Sequence, residues 1–202
     1  MTNDDQHLQQ PETLGGLKMA DLIRYAMAIV TDDSIRTNPL IPFFLTHDYK
    51  GGWEAWLQAE YARMIGAVAP LSDFDRELAY PVPGPVKKCD LWFQGTRGAP
   101  LWIELKAQRR KGYKKAVQDF KDDILKIQSL PAAFLQANVN AAIVALVASA
   151  TDVADLQALR VSRPSGTLTY MAQNGGKWFD VTNDVTKAGG HVIIASWVPY
   201  TL

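Results

Sequence analysis

The strongest constraint on the fold is a run of eight apolar residues, Ala141-Ala142-Ile143-Val144-Ala145-Leu146-Val147-Ala148. As a helix it is too short to span a bilayer, which takes about 20 apolar residues. As a strand it carries apolar side chains on both alternating faces. Such a strand reads as buried on both sides. Its surroundings can supply the cover. Residues 114–130 read as a long amphipathic helix, because Val117, Phe120, Ile124 and Ile127 recur at steps of three and four. Pro131 limits or bends that helix. Two earlier helices are expected, Leu17 to Val30 and Trp53 to Ile65, the second bounded by Gly51-Gly52 and Gly66.

Between these helices the rhythm changes to period two. Glu77 to Val82 is expected as a strand with an irregular far end, since Pro81, Pro83, Gly84 and Pro85 interrupt it. Lys88 to Gln94 and Leu101 to Gln108 most simply pair as a hairpin around Gly95-Thr96-Arg97-Gly98. Past the buried strand, Asp152 to Leu159 suits a short helix. Leu168 to Ala172 and Lys177 to Val181 suit a second hairpin, and His191 to Val198 a last strand. The expected fold is α/β, a sandwich with a central mixed sheet. One domain over 1–202 is expected, with a core at about 50–150, an N-terminal helical extension over 1–45 and C-terminal strands over 165–202.

Composition narrows the function classes. Apolar residues at 48% and charged residues at 21% argue against wholesale disorder. Basic and acidic residues balance at 21 each, so the total names no polyanionic partner. The distribution does: residues 81–130 carry 11 basic against 5 acidic side chains, and residues 1–80 carry 6 against 12. Cys89 is the only cysteine, which excludes an internal disulfide and a cysteine-based zinc site. His7, His47 and His191 show no ligand spacing. No phosphate-binding glycine loop and no nucleophile elbow occurs, so ATPase, dinucleotide and serine-hydrolase readings have no support. The first residues lack the basic and apolar stretches of a secretory signal, and a soluble, cytoplasmic protein with no membrane contact is expected.

The hairpin concentrates the chemistry. On its second strand Trp102, Glu104, Lys106 and Gln108 share one face, and Leu101, Ile103, Leu105 and Ala107 share the other. Asp90 on the partner strand can stand beside Glu104 and Lys106. Two carboxylates and an ammonium then converge. Such a group can hold a hard divalent cation and leave a lysine beside it to act on water or on a developing negative charge. The plain alternative is a cross-strand salt bridge on a solvated face. A third acid is available on the preceding helix. Trp53, Leu57, Glu60 and Met64 form a stripe, and Glu60 interrupts its apolar character. Glu54 lies off that stripe, where an acid merely suits the helix dipole. Directly after the hairpin, six of the ten residues Lys106 to Lys115 are basic. Arg109, Arg110, Lys111, Lys114 and Lys115 are candidate contacts to a nucleic-acid backbone, and Tyr113 a candidate for stacking.

These residues resemble the active site of the PD-(D/E)xK nuclease superfamily, the restriction-endonuclease-like fold. Asp90 is followed by Glu104-Leu105-Lys106 at the family's spacing, Glu60 matches its helical acid and Gln108 its polar residue two beyond the lysine. Cys89 stands where the family name has proline. The resemblance covers about residues 50–150. It implies a helix–strand–strand–strand–helix–strand core in an α/β/α sandwich. It also implies a catalytic set of Asp90, Glu104, Lys106, Gln108 and Glu60. Mg²⁺ (or Mn²⁺) would be held by Asp90, Glu104, the Leu105 carbonyl and Glu60. The reaction it implies is hydrolysis of a DNA phosphodiester, and a homodimer would supply two sites for a double-strand cut. Two other readings stay open: a non-cleaving nucleic-acid-binding or scaffold subunit of a defence or repair complex, and a protein-interaction module in which the cluster is structural.

Overall fold

The computed structural model describes residues 53–108, 113–148, 166–172 and 191–199, and positions 21, 24–26, 28, 29 and 41. The elements in chain order are α1 (Glu54–Val68), β1 (Leu71–Arg76), β2 (Leu91–Gly95), β3 (Leu101–Ala107), α2 (Tyr113–Gln128), α3 (Ala132–Ala137), β4 (Val139–Ala148), β5 (Gly166–Ala172) and β6 (His191–Pro199). The architecture is mixed α/β. The six strands form one sheet in the order β1-β2-β3-β4-β6-β5. β3 and β4 are parallel, and every other neighbouring pair is antiparallel. Two parallel strands need a long crossover, and α2 with α3 forms it.

β3 lies inside the sheet between β2 and β4, with Trp102 opposite Trp92 and Lys106 opposite Val144. Its alternation sorts the core into two layers. Leu101, Ile103, Leu105 and Ala107 join Ala141, Ile143 and Ala145 of β4 under Trp53, Leu57, Tyr61 and Ile65. Trp102 joins Ala142, Val144, Leu146 and Trp197 under Val117, Phe120, Ile124 and Ile127 of α2. Both faces of β4 are therefore covered, as its unbroken apolar run requires. Each fully buried side chain of this size contributes roughly 1.5–3 kcal/mol. On the α2 side, Tyr80, Trp92, Trp102 and Phe134 form an aromatic cluster with ring centroids 5.0–5.9 Å apart.

Several elements differ from expectation. The buried stripe of α1 is Trp53, Leu57, Tyr61 and Ile65, not Trp53, Leu57, Glu60 and Met64. A helical period of 3.6 allows steps of three or four, and the large apolar Tyr61 and Ile65 win the core face. Glu60 turns aside and pairs with Arg63 at 2.9 Å. The strand expected at Glu77–Val82 lies earlier, as β1. Its residues are almost all exposed at the sheet edge, so no apolar alternation marks it in the sequence. Glu77 follows it with φ 55°, and the expected strand is reduced to an isolated bridge between Ala79 and Lys88, flanked by the Cys89 N–H to the Leu78 carbonyl and the Tyr80 N–H to the Lys87 carbonyl. The Gly95–Gly98 turn holds, with Gly98 at φ 83°, a left-handed conformation that glycine adopts without strain.

β5 pairs with β6. The partner expected for it, Lys177–Val181, lies outside the described residues, as does the helix expected at Asp152–Leu159. Within the helix expected at 17–30, every described position is helical. No helix among the described residues is long and apolar enough to cross a membrane.

Phe120 has no exposed surface and anchors α2 to the sheet. Phe120→Ala should cost about 3–5 kcal/mol in urea unfolding followed by tryptophan fluorescence. Val86→Ala, at a position 79% exposed, should stay within about 0.5 kcal/mol of the parent.

Candidate metal and catalytic site

The face of β3 that carries Trp102 also carries Glu104 and Lys106, and the hairpin brings Asp90 to them. Asp90 directly precedes β2, and its N–H donates to the Ile103 carbonyl at 3.1 Å. Its Oδ2 accepts the Leu105 N–H at 2.7 Å and the Lys106 ammonium at 3.2 Å. A backbone donor and a charged donor thus hold one carboxylate oxygen in place. Glu104 has no exposed surface. A buried carboxylate must be compensated, and two donors do so: the Tyr80 hydroxyl to Oε1 at 2.7 Å and the Lys126 ammonium to Oε2 at 2.6 Å.

Two more acids complete the group. Asp123 of α2 has Oδ1 3.4 Å from Lys126 and Oδ2 3.6 Å from Lys106. Glu54, in the first turn of α1, has Oε1 3.8 Å from Lys106, and its Oε2 accepts the Ala107 N–H at 3.3 Å. The Trp53 indole donates to the Gln108 carbonyl, which pins the start of α1 to the end of β3. Oxygens of Asp90, Glu104 and Asp123 lie within 4.8 Å of one another. Four carboxyl groups face two ammonium groups, which would leave two negative charges uncompensated if every acid were ionised.

The electrostatics follow from burial and this imbalance. Burial pushes Glu104 up to about 8, although Lys126 opposes it, and Asp123 adds to the rise. Burial likewise raises Asp123 above its ordinary value against the pull of Lys106 and Lys126. Burial alone would lower the Lys106 ammonium, but Asp123, Asp90 and Glu54 outweigh it and hold it above its usual range. Burial, with Glu104 beside it, keeps the Tyr80 hydroxyl protonated and donating. Burial and then Glu104 push the Cys89 thiol up to about 12, so it is no nucleophile.

A divalent cation fits this donor set. Hard cations take carboxylate oxygens, and three converge here. Asp123 Oδ2 is buried and receives no hydrogen bond. The Lys106 ammonium stands 3.6 Å away, which leaves the oxygen able to take a closer partner.

Of the residues singled out in the sequence, Asp90, Glu104 and Lys106 come together. Glu60 does not join them: it is tied to Arg63, and Glu54, set aside in the sequence, is the α1 acid beside Lys106. The reason is the rotated stripe of α1, which aims Glu54 at the end of β3. Leu105 meets the cluster through its N–H on Asp90. Gln108 is largely buried, and its N–H donates to the Ala145 carbonyl at 2.9 Å. Tyr113 opens α2, and Lys114 and Lys115 are exposed in its first turn, Lys115 pairing with Asp119 at 2.7 Å. Arg109, Arg110 and Lys111 lie outside the described residues.

Sequence reasoning missed Asp123, Lys126 and Tyr80. A signal existed for Asp123: it sits between Phe120 and Ile127 at steps of three and four, inside the apolar stripe of α2. Tyr80 lies in the irregular Pro-rich stretch, where no periodicity points to it.

The raised Glu104 has a consequence for stability without metal. Its folded pKa lies above that of the unfolded chain, so the folded state binds more protons between about pH 4.5 and 8. Stability should therefore fall as pH rises through that window in EDTA. Melting temperatures measured from pH 5 to 8.5 should show this decline, and Glu104→Gln should flatten it.

No family model, no curated protein and no solved structure matches this chain, so the reading of the site rests on its geometry.

Proposed function

We propose that this protein is a metal-dependent nuclease that hydrolyses DNA phosphodiester bonds on a restriction-endonuclease-like α/β/α sandwich. The observation that carries the reading is the convergence of Asp90, Glu104 and Lys106 at the start of β2 and along β3, with their oxygens and ammonium on one side of the sheet. The order α1-β1-β2-β3-α2-α3-β4 supports it, since apart from the short α3 it follows the helix–strand–strand–strand–helix–strand core that the motif implies.

In this reading Asp90 and Glu104 hold the cation. Bound Mg²⁺ (or Mn²⁺) acidifies water and offsets negative charge on a phosphodiester. The chain's own residues do the rest. The Leu105 N–H orients Asp90, and the Tyr80 hydroxyl orients Glu104. Lys106, held as an ammonium by the acids around it, positions water and stabilises charge developing on the phosphoryl oxygens. Lys114 and Lys115, exposed at the start of α2, together with Arg109, Arg110 and Lys111, draw in the DNA backbone. Cleavage of both strands would call for two copies.

Purified protein should cut linear, circular or single-stranded DNA with Mg²⁺ or Mn²⁺ and not with EDTA. Asp90→Ala and Lys106→Ala should each reduce cleavage by at least about 100-fold while circular dichroism stays that of the parent. Full cleavage by either variant would overturn the reading. A salt-sensitive gel shift with no cleavage under any metal would favour a nucleic-acid binder instead.

A further inference from the structure

The site holds one lysine more than the motif calls for. Lys126 comes from α2, and its ammonium sits 2.6 Å from Glu104, a carboxylate with no exposed surface. An ammonium on that oxygen competes with a divalent cation for it, since the two charges repel at contact distance. Lys126 has a second partner, the Lys88 carbonyl at 3.0 Å. It can release Glu104 and still keep a hydrogen bond.

One helical turn away, Asp123 shows the opposite state. It is 6% exposed, and its buried Oδ2 receives no hydrogen bond, the Lys106 ammonium standing 3.6 Å away. That oxygen lies in the same group as those of Asp90 and Glu104. At 3.6 Å Lys106 is beyond hydrogen-bond distance, so the oxygen keeps an acceptor site open to a stronger partner. With all four acids ionised, the two lysines leave room for the charge of one divalent cation.

We propose that Asp123 and Lys126 form a cation-exchange pair on α2. Lys126 compensates Glu104 while no divalent cation is bound. On entry of a Mg²⁺-class cation, Lys126 yields Glu104 and remains on the Lys88 carbonyl, and Asp123 becomes the third carboxylate ligand. The pair stands three residues apart on one helix, so one element carries both the placeholder charge and the waiting ligand. This inference rests on the metal-site reading above.

The test is calorimetric titration with Mg²⁺ at pH 8.5, which favours ionised Glu104, together with melting temperatures in EDTA. Lys126→Gln should melt lower than the parent in EDTA, yet bind Mg²⁺ at least ~10-fold tighter because the competing charge is gone. Folding of that variant only in the presence of Mg²⁺ supports the proposal equally. Asp123→Asn should bind Mg²⁺ at least ~10-fold more weakly while its melting temperature in EDTA is unchanged or higher, since a repulsive charge is removed. If Lys126→Gln is unfolded under both conditions, Asp123→Asn decides alone. Lys126→Gln binding no tighter than the parent, or Asp123→Asn binding as well as the parent, overturns the exchange pair alone. A parent protein that binds no Mg²⁺ overturns the metal-site reading with it.

Discussion

The arrangement depends on one costly act, the complete burial of the Glu104 carboxylate inside a sheet. An ionised acid in such surroundings is tolerated only with donors on its oxygens. Tyr80 and Lys126 supply them, from the loop before β2 and from the crossover helix. Both elements are thereby tied to β3. The aromatic cluster around Tyr80 and the apolar stripe of α2 then close over the polar pair and keep water scarce. Stability and site are not separate here, because the groups that compensate the acid are also those that hold the helix on the sheet.

β3 divides its labour by side-chain alternation. One face is all apolar and packs under α1. The other mixes Trp102 with Glu104 and Lys106 and packs under α2. Rigidity of the first face fixes the second. Leu105 shows the link within one residue: its side chain is core, and its N–H sets the Asp90 carboxylate at 2.7 Å. Lys106, one residue on, sits among three carboxylates, from α1, from the loop before β2 and from α2. An ammonium so placed is held charged by its neighbours, which suits electrostatic stabilisation more than proton abstraction.

The cluster carries more acid than base, and that imbalance separates it from an ordinary structural salt-bridge network. Buried ion pairs rarely improve on apolar packing even when balanced. Burial above all pushes Glu104 and Asp123 up, and the neighbouring carboxylates add to it. Sites that perturb their own acids in this way are commonly functional.

The sequence alone determined the alternation of β3, the burial of β4 on both faces, and the amphipathic stripe of α2. Each follows from a local period that tertiary contacts had no reason to override. It therefore also placed Asp90, Glu104 and Lys106 together, since a hairpin joins them through a short turn. It did not determine which acid of α1 reaches the site. Glu60 and Glu54 differ only by a rotation of the helix, and the packing of Tyr61 and Ile65 set that rotation. Nor did it reveal Tyr80 and Lys126, because their contacts with Glu104 span 24 and 22 residues of chain and exist only once the loop and α2 are docked. The edge strand β1 escaped for the converse reason: exposed on nearly every side, it carries no apolar pattern, and only its pairing with β2 makes it a strand. Local periodicity is written in the residues, whereas the partners of a buried charge are chosen by the fold.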